Sequence, residues 1–156
     1  MNSILRYKQS ILFGLLSVAT LVFILSNSAT PAAQSNAAST EFMAWLRPLL
    51  EPLFDSQEAM HRFIRKLAHF TEYGVLGFCL GMTLDGWRCR YWQGSLVFCP
   101  LFLLLGAGVT DEFIQSFFDR TSAVKDVFLD FFGGICGALL AVVMALILEH
   151  RKKKRG

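Results

Sequence analysis

The sequence predicts an all-α integral membrane protein in which four transmembrane helices form a single domain, residues 1–156. Hydrophobic residues make up 54% of the chain and its mean hydropathy is +0.46, which is too apolar for an ordinary soluble domain. Four apolar segments each approach the ~20 residues needed to cross a bilayer. Ionisable residues are concentrated at one end of three of these segments, which predicts a polar cluster at one face of the bundle.

The four predicted spans lie at about residues 10–26, 63–84, 93–113 and 126–149. The first span follows a basic start and precedes many small residues, a pattern that is also compatible with a secretory signal peptide. Its apolar stretch is longer than the ~7–15 residues typical of a signal peptide. We therefore expect the first span to be retained as a helix.

Basic residues flank the predicted spans on one side of the membrane. Arg6 and Lys8 precede the first span, Arg88 and Arg90 lie between the second and third, and RKKKRG ends the chain. Cytoplasmic loops are enriched in Lys and Arg, so both termini are predicted to be cytoplasmic. We interpret the basic tail as a topology signal at the lipid headgroups and expect no nucleic-acid binding.

The exported loop is predicted at residues 27–62. Its first part is rich in Ser, Ala, Asn and Thr, which is typical of a flexible linker. Its second part, residues 42–54, is apolar and is predicted either to lie in the outer membrane interface or to cap the bundle. Asp55 and Glu58 then form a capping-box pattern, so the second helix is predicted to begin near Ser56.

The polar residues of the second span lie on one helical face. At about 100° per residue, Lys66, His69 and Tyr73 form a stripe that continues into Gly77 and Gly81. Glycines four residues apart let two helix backbones approach closely. The charged residues beside this stripe are Arg65 and Glu72.

The third and fourth spans show the same arrangement. On the fourth, Asp126 and Asp130 precede a seam formed by Gly133 and Gly137 on one face, and Arg120 lies in the loop before it. The polar residues that share an arc at the end of the third span are Asp111, Glu112 and Gln115. With both termini cytoplasmic, alternating spans bring these ends to the outer membrane face, so the acids and the cations are predicted to meet there.

Charged groups that persist in hydrocarbon indicate a functional site or a set of interhelical contacts. In the first interpretation, Arg65, Lys66 and Arg120 bind a phosphate or carboxylate, while Tyr73 and Gln115 add hydrogen bonds. In the second, the ion pairs only fix the register of the helices. The residues predicted to contact a ligand are Arg65, Lys66, His69, Tyr73, Asp111, Glu112, Gln115, Arg120, Asp126 and Asp130.

Catalysis remains an open alternative. His69 with Glu72 or Asp111 has the chemistry of an acid–base pair, but no Ser or Cys nucleophile stands in a recognisable motif. Buried carboxylate–histidine sets also serve as proton relays, which keeps a small proton-coupled transporter open. Only one histidine is present in the cluster, and we therefore expect neither a metal nor another cofactor.

Two sequence blocks resemble the VanZ-like family of bacterial membrane proteins. That family shows Lys-x-x-His-Phe-x-x-Tyr in one helix, then Asp-Glu-x-x-Gln-x-Phe, an Arg, Asp-x-x-x-Asp/Asn and a glycine seam. The matching residues here are Lys66, His69, Phe70, Tyr73, Asp111, Glu112, Gln115, Phe117, Arg120, Asp126, Asp130, Gly134 and Gly137. Ile114 stands where many members of the family carry His.

The resemblance implies an α-helical, multi-pass protein of the bacterial plasma membrane, with a role in the cell envelope. The named member of the family is associated with resistance to the lipoglycopeptide teicoplanin. We therefore expect membrane lipids as partners, and a lipid-linked or lipoglycopeptide ligand that binds at the outer leaflet. A membrane enzyme acting on a lipid or cell-wall precursor is the alternative, and the oligomeric state is not predicted.

The predicted topology is tested by cysteine labelling of intact cells in a cysteine-free background. A cysteine introduced at Ser35, in the exported loop, should react with a membrane-impermeant reagent. A cysteine introduced at Gly156, in the basic tail, should react only after the cells are opened. The reverse pattern would contradict the predicted orientation.

Overall fold

The computed structural model describes most of the chain. The residues that it describes are 3–31, 48, 52, 54, 56–85, 93–118 and 122–154. Most of the segment predicted at 42–54, and the whole of the Arg88–Arg90 loop, lie outside the described residues, as does Arg120. Within the described ranges the chain forms four helices and no strand, so the predicted all-α fold is confirmed.

The four helices are α1, Ser3–Ser28; α2, Gln57–Asp85; α3, Gln93–Gln115; and α4, Val124–Lys153. α1 extends beyond the predicted span of 10–26 at both ends. Its last turn therefore includes Asn27 and Ser28, which the sequence analysis had placed in the exported loop.

α2 begins where the sequence predicted. The hydroxyl of Ser56 accepts a hydrogen bond from the backbone N–H of Ala59 at 3.2 Å, as the residue that caps a helix N-terminus does. The predicted start near Ser56 is confirmed. Ser56 is the N-terminal cap among the described residues. Asp55, the residue predicted to cap the helix, lies outside them.

Packing between α2 and α4 is the most extensive in the bundle, and the two helices run in the same direction. Lys66 pairs with Asp126 in the first half of both helices, and Gly81 meets Ala141 in the second half of both. α1 lies antiparallel to α2, since the rings of Phe13 and Phe78 have centroids 6.1 Å apart, while Asn27 at the end of α1 bonds to Glu72 at the middle of α2.

α3 packs antiparallel against α4. The side chain of Leu104 lies over Gly134, and Gly108 lies against Val127 nearer the start of α4. With these directions, the ends of α1 and α3 and the starts of α2 and α4 lie together at one end of the bundle. The residues of α1, α2 and α3 that form the main buried core are Ile24, Tyr73, Leu76, Leu104 and Ala107.

Glycines at the α2–α4 interface allow the two backbones to touch. A Cβ atom on Gly77 would overlap the carbonyl of Gly134 and lie 2.7 Å from its carbonyl carbon. A Cβ atom on Gly137 would overlap the carbonyl of Gly74 and lie 2.9 Å from the backbone nitrogen of Phe78. The predicted close approach of the two helices is confirmed, and Gly74 joins the seam although the sequence analysis did not single it out.

Three helices are long and apolar enough to cross a membrane, over Tyr7–Ser28, Phe98–Gln115 and Val124–Arg151. α2 has 29 residues and a length of about 43 Å, but Arg65 and Lys66 lower its hydropathy. The chain is a membrane protein on these grounds. That α2 also crosses, and that both termini are cytoplasmic, stay predictions.

The glycine seam predicts the effect of adding one methyl group. Gly137→Ala places a Cβ against backbone that cannot rotate away, and should lower the stability of the folded protein by about 1–3 kcal/mol. Gly106→Ala is the matched control, because nothing lies within 4 Å of the added atom. It should be neutral or stabilise the helix by up to about 1 kcal/mol. Thermal unfolding in detergent measures both, and equal midpoints would contradict the packing described here.

Candidate functional site: a buried polar cluster at one end of the bundle

All four helices contribute polar side chains to the same end of the bundle. The members of this polar cluster in the described residues are Asn27, Ser28, Arg65, Lys66, His69, Glu72, Tyr73, Asp111, Glu112, Gln115, Asp126 and Asp130. The arc predicted on α3 faces inward, since Asp111, Glu112 and Gln115 are buried. Phe113, which lies between them in sequence, and Phe117, which follows them, are exposed on the opposite face.

Asp111 lies at the centre of the cluster and is fully buried. The hydroxyl of Ser28 donates a hydrogen bond to its Oδ1, and the amide of Gln115 donates to its Oδ2 at 3.1 Å. Hydrogen bonds to a charged acceptor are stronger than those between neutral groups. These two donors therefore hold the Asp111 carboxylate in one orientation.

His69 lies between two carboxylates that come from different helices. Its Nδ1 is 3.5 Å from Oδ2 of Asp111 and 4.0 Å from Oδ1 of Asp130. The imidazole therefore lies close to one acid of α3 and one acid of α4. The Glu72 carboxylate instead accepts a hydrogen bond from the amide of Asn27 at 3.3 Å.

Asp130 differs from the other acids of the cluster. It is only 1% exposed, and neither carboxylate oxygen accepts a hydrogen bond from the described residues. The hydroxyl of Tyr73, which lies one helical turn beyond His69 and is fully buried, also lacks a hydrogen-bond partner within that set. Buried polar groups are nearly always satisfied in folded proteins, so these atoms require an explanation.

The remaining acids have partners on neighbouring segments. The ammonium of Lys66 donates to Asp126, which joins α2 to α4. Glu112 accepts a hydrogen bond from the backbone N–H of Ala123 at 2.9 Å, which ties the end of α3 to the residue just before α4. The prediction that cations and acids of the cluster meet, with Lys66 or Arg120 paired to Asp111, Glu112 or Asp126, is confirmed for Lys66 and Asp126.

Arg65 is the cation of the cluster that is left without an ion pair among the described residues. It lines a pocket of about 20 Å³, which has room for one water molecule or one ion but not for an organic molecule. The residues that line this pocket are Arg65, Lys66, His69, Glu112, Gln115, Asp126, Leu129 and Asp130.

The structure places nine of the ten predicted ligand-contacting residues in this cluster, and Arg120 lies outside the described residues. Asn27 and Ser28 were not predicted to belong to the cluster. Both residues are short and polar, and they follow an apolar run, so they were interpreted as the start of a linker. Their spacing from Ile24 continues the buried face of α1, and that periodicity was the available signal.

Comparison with known families gives a clear result. The family VanZ/LLP1 matches residues 12–146, which is nearly the whole chain. The chain belongs to the VanZ-like family. Comparisons with curated proteins and with solved structures returned no match. The matched region contains every described residue of the polar cluster, so the cluster belongs to the VanZ-like part of the chain.

The Lys66–Asp126 contact predicts a measurable coupling. Each single change to Ala should destabilise the protein, because the partner charge is left in a half-buried site. The double change should cost less than the sum, with a coupling of about 1 kcal/mol. The exposed pair Arg62 and Glu58, whose side chains are 59% and 88% exposed, is the control and should couple by less than about 0.5 kcal/mol. Detergent unfolding of both cycles is the measurement, and strict additivity at Lys66 and Asp126 would refute the pair.

Proposed function

We propose that this VanZ-like membrane protein is a cell-envelope protein that binds an anionic headgroup of a lipid-linked ligand at the outer leaflet. The observation that carries the proposal is Arg65, a partly buried guanidinium without an ion pair among the described residues, at the wall of the pocket. A guanidinium binds phosphate or carboxylate through two parallel hydrogen bonds. Such a group on a ligand would complete the coordination that the described residues leave open at Arg65.

The size of the pocket limits how such a ligand binds. A volume of about 20 Å³ admits no sugar or glycerol unit, so the anionic group would lie at the mouth, against Arg65 and Lys66. The lipid part would remain in the membrane beside the bundle. Large apolar side chains are exposed there on α2, including Phe63 and Leu67. Phospholipids, lipid-linked cell-wall intermediates and lipoglycopeptides all share an anionic group joined to a lipid chain.

Membership of the VanZ-like family supports a link to lipoglycopeptide resistance. A protein that binds such an antibiotic, or its lipid-linked target, at the outer leaflet would lower the concentration of productive antibiotic–target complexes. Resistance then follows from mass action and requires no turnover.

A membrane enzyme that acts on the same class of ligand is the second candidate. The observation that favours it is the position of His69 between Asp111 and Asp130 at the base of the pocket. An imidazole oriented by a carboxylate is suited to general acid–base work. The two candidates differ in one measurable respect, since only the enzyme releases a chemically altered lipid.

The binding proposal is tested with Arg65→Gln, which removes the charge and keeps hydrogen-bonding capacity. Binding of phosphatidylglycerol to the detergent-solubilised protein should weaken by about 10- to 100-fold, because a charge-assisted pair is lost. Binding of phosphatidylcholine, whose headgroup carries no net charge, should be weaker in the parent protein and change little in the variant.

The matched control is Arg62→Gln, on the same helix and exposed to solvent. It should bind phosphatidylglycerol as the parent protein does, and should preserve growth in teicoplanin where Arg65→Gln does not. Equal losses in both variants would indicate a general charge effect and would count against a site at Arg65.

A further inference from the structure

Three potential metal-ligand atoms converge beneath the pocket. One ring nitrogen of His69 and one carboxylate oxygen each of Asp111 and Asp130 all lie within 4.8 Å of one another. Nδ1 of His69 is 3.5 Å from the Asp111 carboxylate and 4.0 Å from the Asp130 carboxylate. Two ligands of a tetrahedral ion, each about 2.0 Å from it, lie about 3.3 Å apart. The donors are therefore within a small side-chain adjustment of a coordination geometry.

Asp130 supplies an independent observation that points to a bound ion. Its carboxylate is 1% exposed, lines the pocket and accepts no hydrogen bond from the described residues. A buried carboxylate with no donor among the described residues is unfavourable unless a molecule or ion in the pocket supplies the missing partner. A cation held between Asp130 and its neighbours removes that penalty.

Within the part of the chain that the structure describes, the nearby cations are not placed to remove it. Lys66 is paired with Asp126, and no hydrogen bond or ion pair within the described ranges joins Arg65 to Asp130. His69 faces Asp111 and Asp130 together, at 3.5 and 4.0 Å. One imidazole, even when protonated, carries a single charge against two carboxylates.

We propose that His69, Asp111 and Asp130 bind one divalent transition-metal ion. Neutral imidazole nitrogen and carboxylate oxygen are the ligands of Zn²⁺ and of Mn²⁺ or Fe²⁺ in proteins. Three protein ligands leave at least one coordination position free. Since His69 and Asp130 line the pocket, that position faces it, where a water molecule or an anionic oxygen completes the coordination.

The surroundings of Asp111 resemble those of a metal ligand. Ser28 and Gln115 donate to its two oxygens, and hydrogen bonds of this kind orient the carboxylates that ligate metals. The single histidine had argued against a metal when the sequence was considered alone. The structure changes that inference, because it completes the donor set with two carboxylates from other helices.

The cation site does not depend on the headgroup proposal. Its donors are His69, Asp111 and Asp130, whereas the headgroup is assigned to Arg65 and Lys66. The site could exist in a protein that binds no lipid. An anionic headgroup could likewise bind at Arg65 in the absence of a metal.

The test is equilibrium binding of Zn²⁺ alone to the full-length protein in detergent, after treatment with a chelator and its removal. We expect one Zn²⁺ per chain, and a rise in the thermal midpoint of about 5 °C when the ion is restored. Mn²⁺ should compete for the same site, and Mg²⁺ should compete weakly because it binds imidazole poorly.

Asp130→Asn and His69→Gln each remove one donor and keep the approximate shape of the side chain. Each should weaken Zn²⁺ binding by at least about 100-fold. The exposed carboxylate of Glu58 provides the control, and Glu58→Gln should bind as the parent protein does. Asp130→Asn also separates metal binding from folding, because it removes the unsatisfied charge. Its thermal midpoint should be no lower than that of the chelator-treated parent, and should not rise when Zn²⁺ is added.

The proposal is overturned if the parent protein binds no Zn²⁺ or Mn²⁺ in stoichiometric amounts, or if Asp130→Asn binds as tightly as the parent. In either outcome, retained phosphatidylglycerol binding would show that the headgroup proposal survives the loss of the metal proposal. If the protein binds Zn²⁺ stoichiometrically but Arg65→Gln leaves its lipid affinity unchanged, the metal proposal survives and the headgroup proposal fails.

Discussion

The backbone contact between α2 and α4 is the constraint on which the rest of the structure depends. Gly74 and Gly77 on α2 meet Gly137 and Gly134 on α4, with no side chain between the backbones. Apolar helices gain little by leaving lipid for one another, so close van der Waals packing must supply much of their association. The contact also fixes the register of the two parallel helices. The register in turn determines which polar residues of the first half of α2 face those of the first half of α4.

That register decides the chemistry of the polar cluster. It places Lys66 beside Asp126 and His69 within 4.0 Å of Asp130. α3 then adds Asp111 to the same end, and the last turn of α1 adds Ser28. Most of the acids have partners, whereas Asp130 and the hydroxyl of Tyr73 are buried without hydrogen bonds among the described residues. Buried polar groups are nearly always satisfied, so these atoms mark the part of the cluster that contacts among the described residues do not account for.

The sequence predicted the helices and the end of the bundle at which polar residues meet, because both follow from patterns within a single helix. Hydropathy located the helices, and a repeat of about 3.6 residues placed Asp111, Glu112 and Gln115 on one face. Pairings between helices depend on axial shifts of a few ångströms, which no single-helix pattern contains. The sequence therefore indicated that the cations and the acids meet, with Asp126 as one of several acids open to Lys66, but it did not select Asp126. It gave no sign that Asp130 would be left without a donor, and it missed Ser28 because hydropathy falls at the end of α1.

Disulfide cross-linking between α2 and α4 tests the central claim most directly. In a background without the native cysteines, cysteines replacing Gly81 and Ala141 should form a disulfide on mild oxidation. The Cβ atoms at these positions are close enough to be bridged after a small shift. Cysteines replacing Gly81 and Val127 should remain reduced, because parallel helices hold these positions several turns apart. Efficient cross-linking of Gly81 to Val127, with none to Ala141, would show that the two helices do not pack in this direction and register, and the polar cluster would not assemble as described.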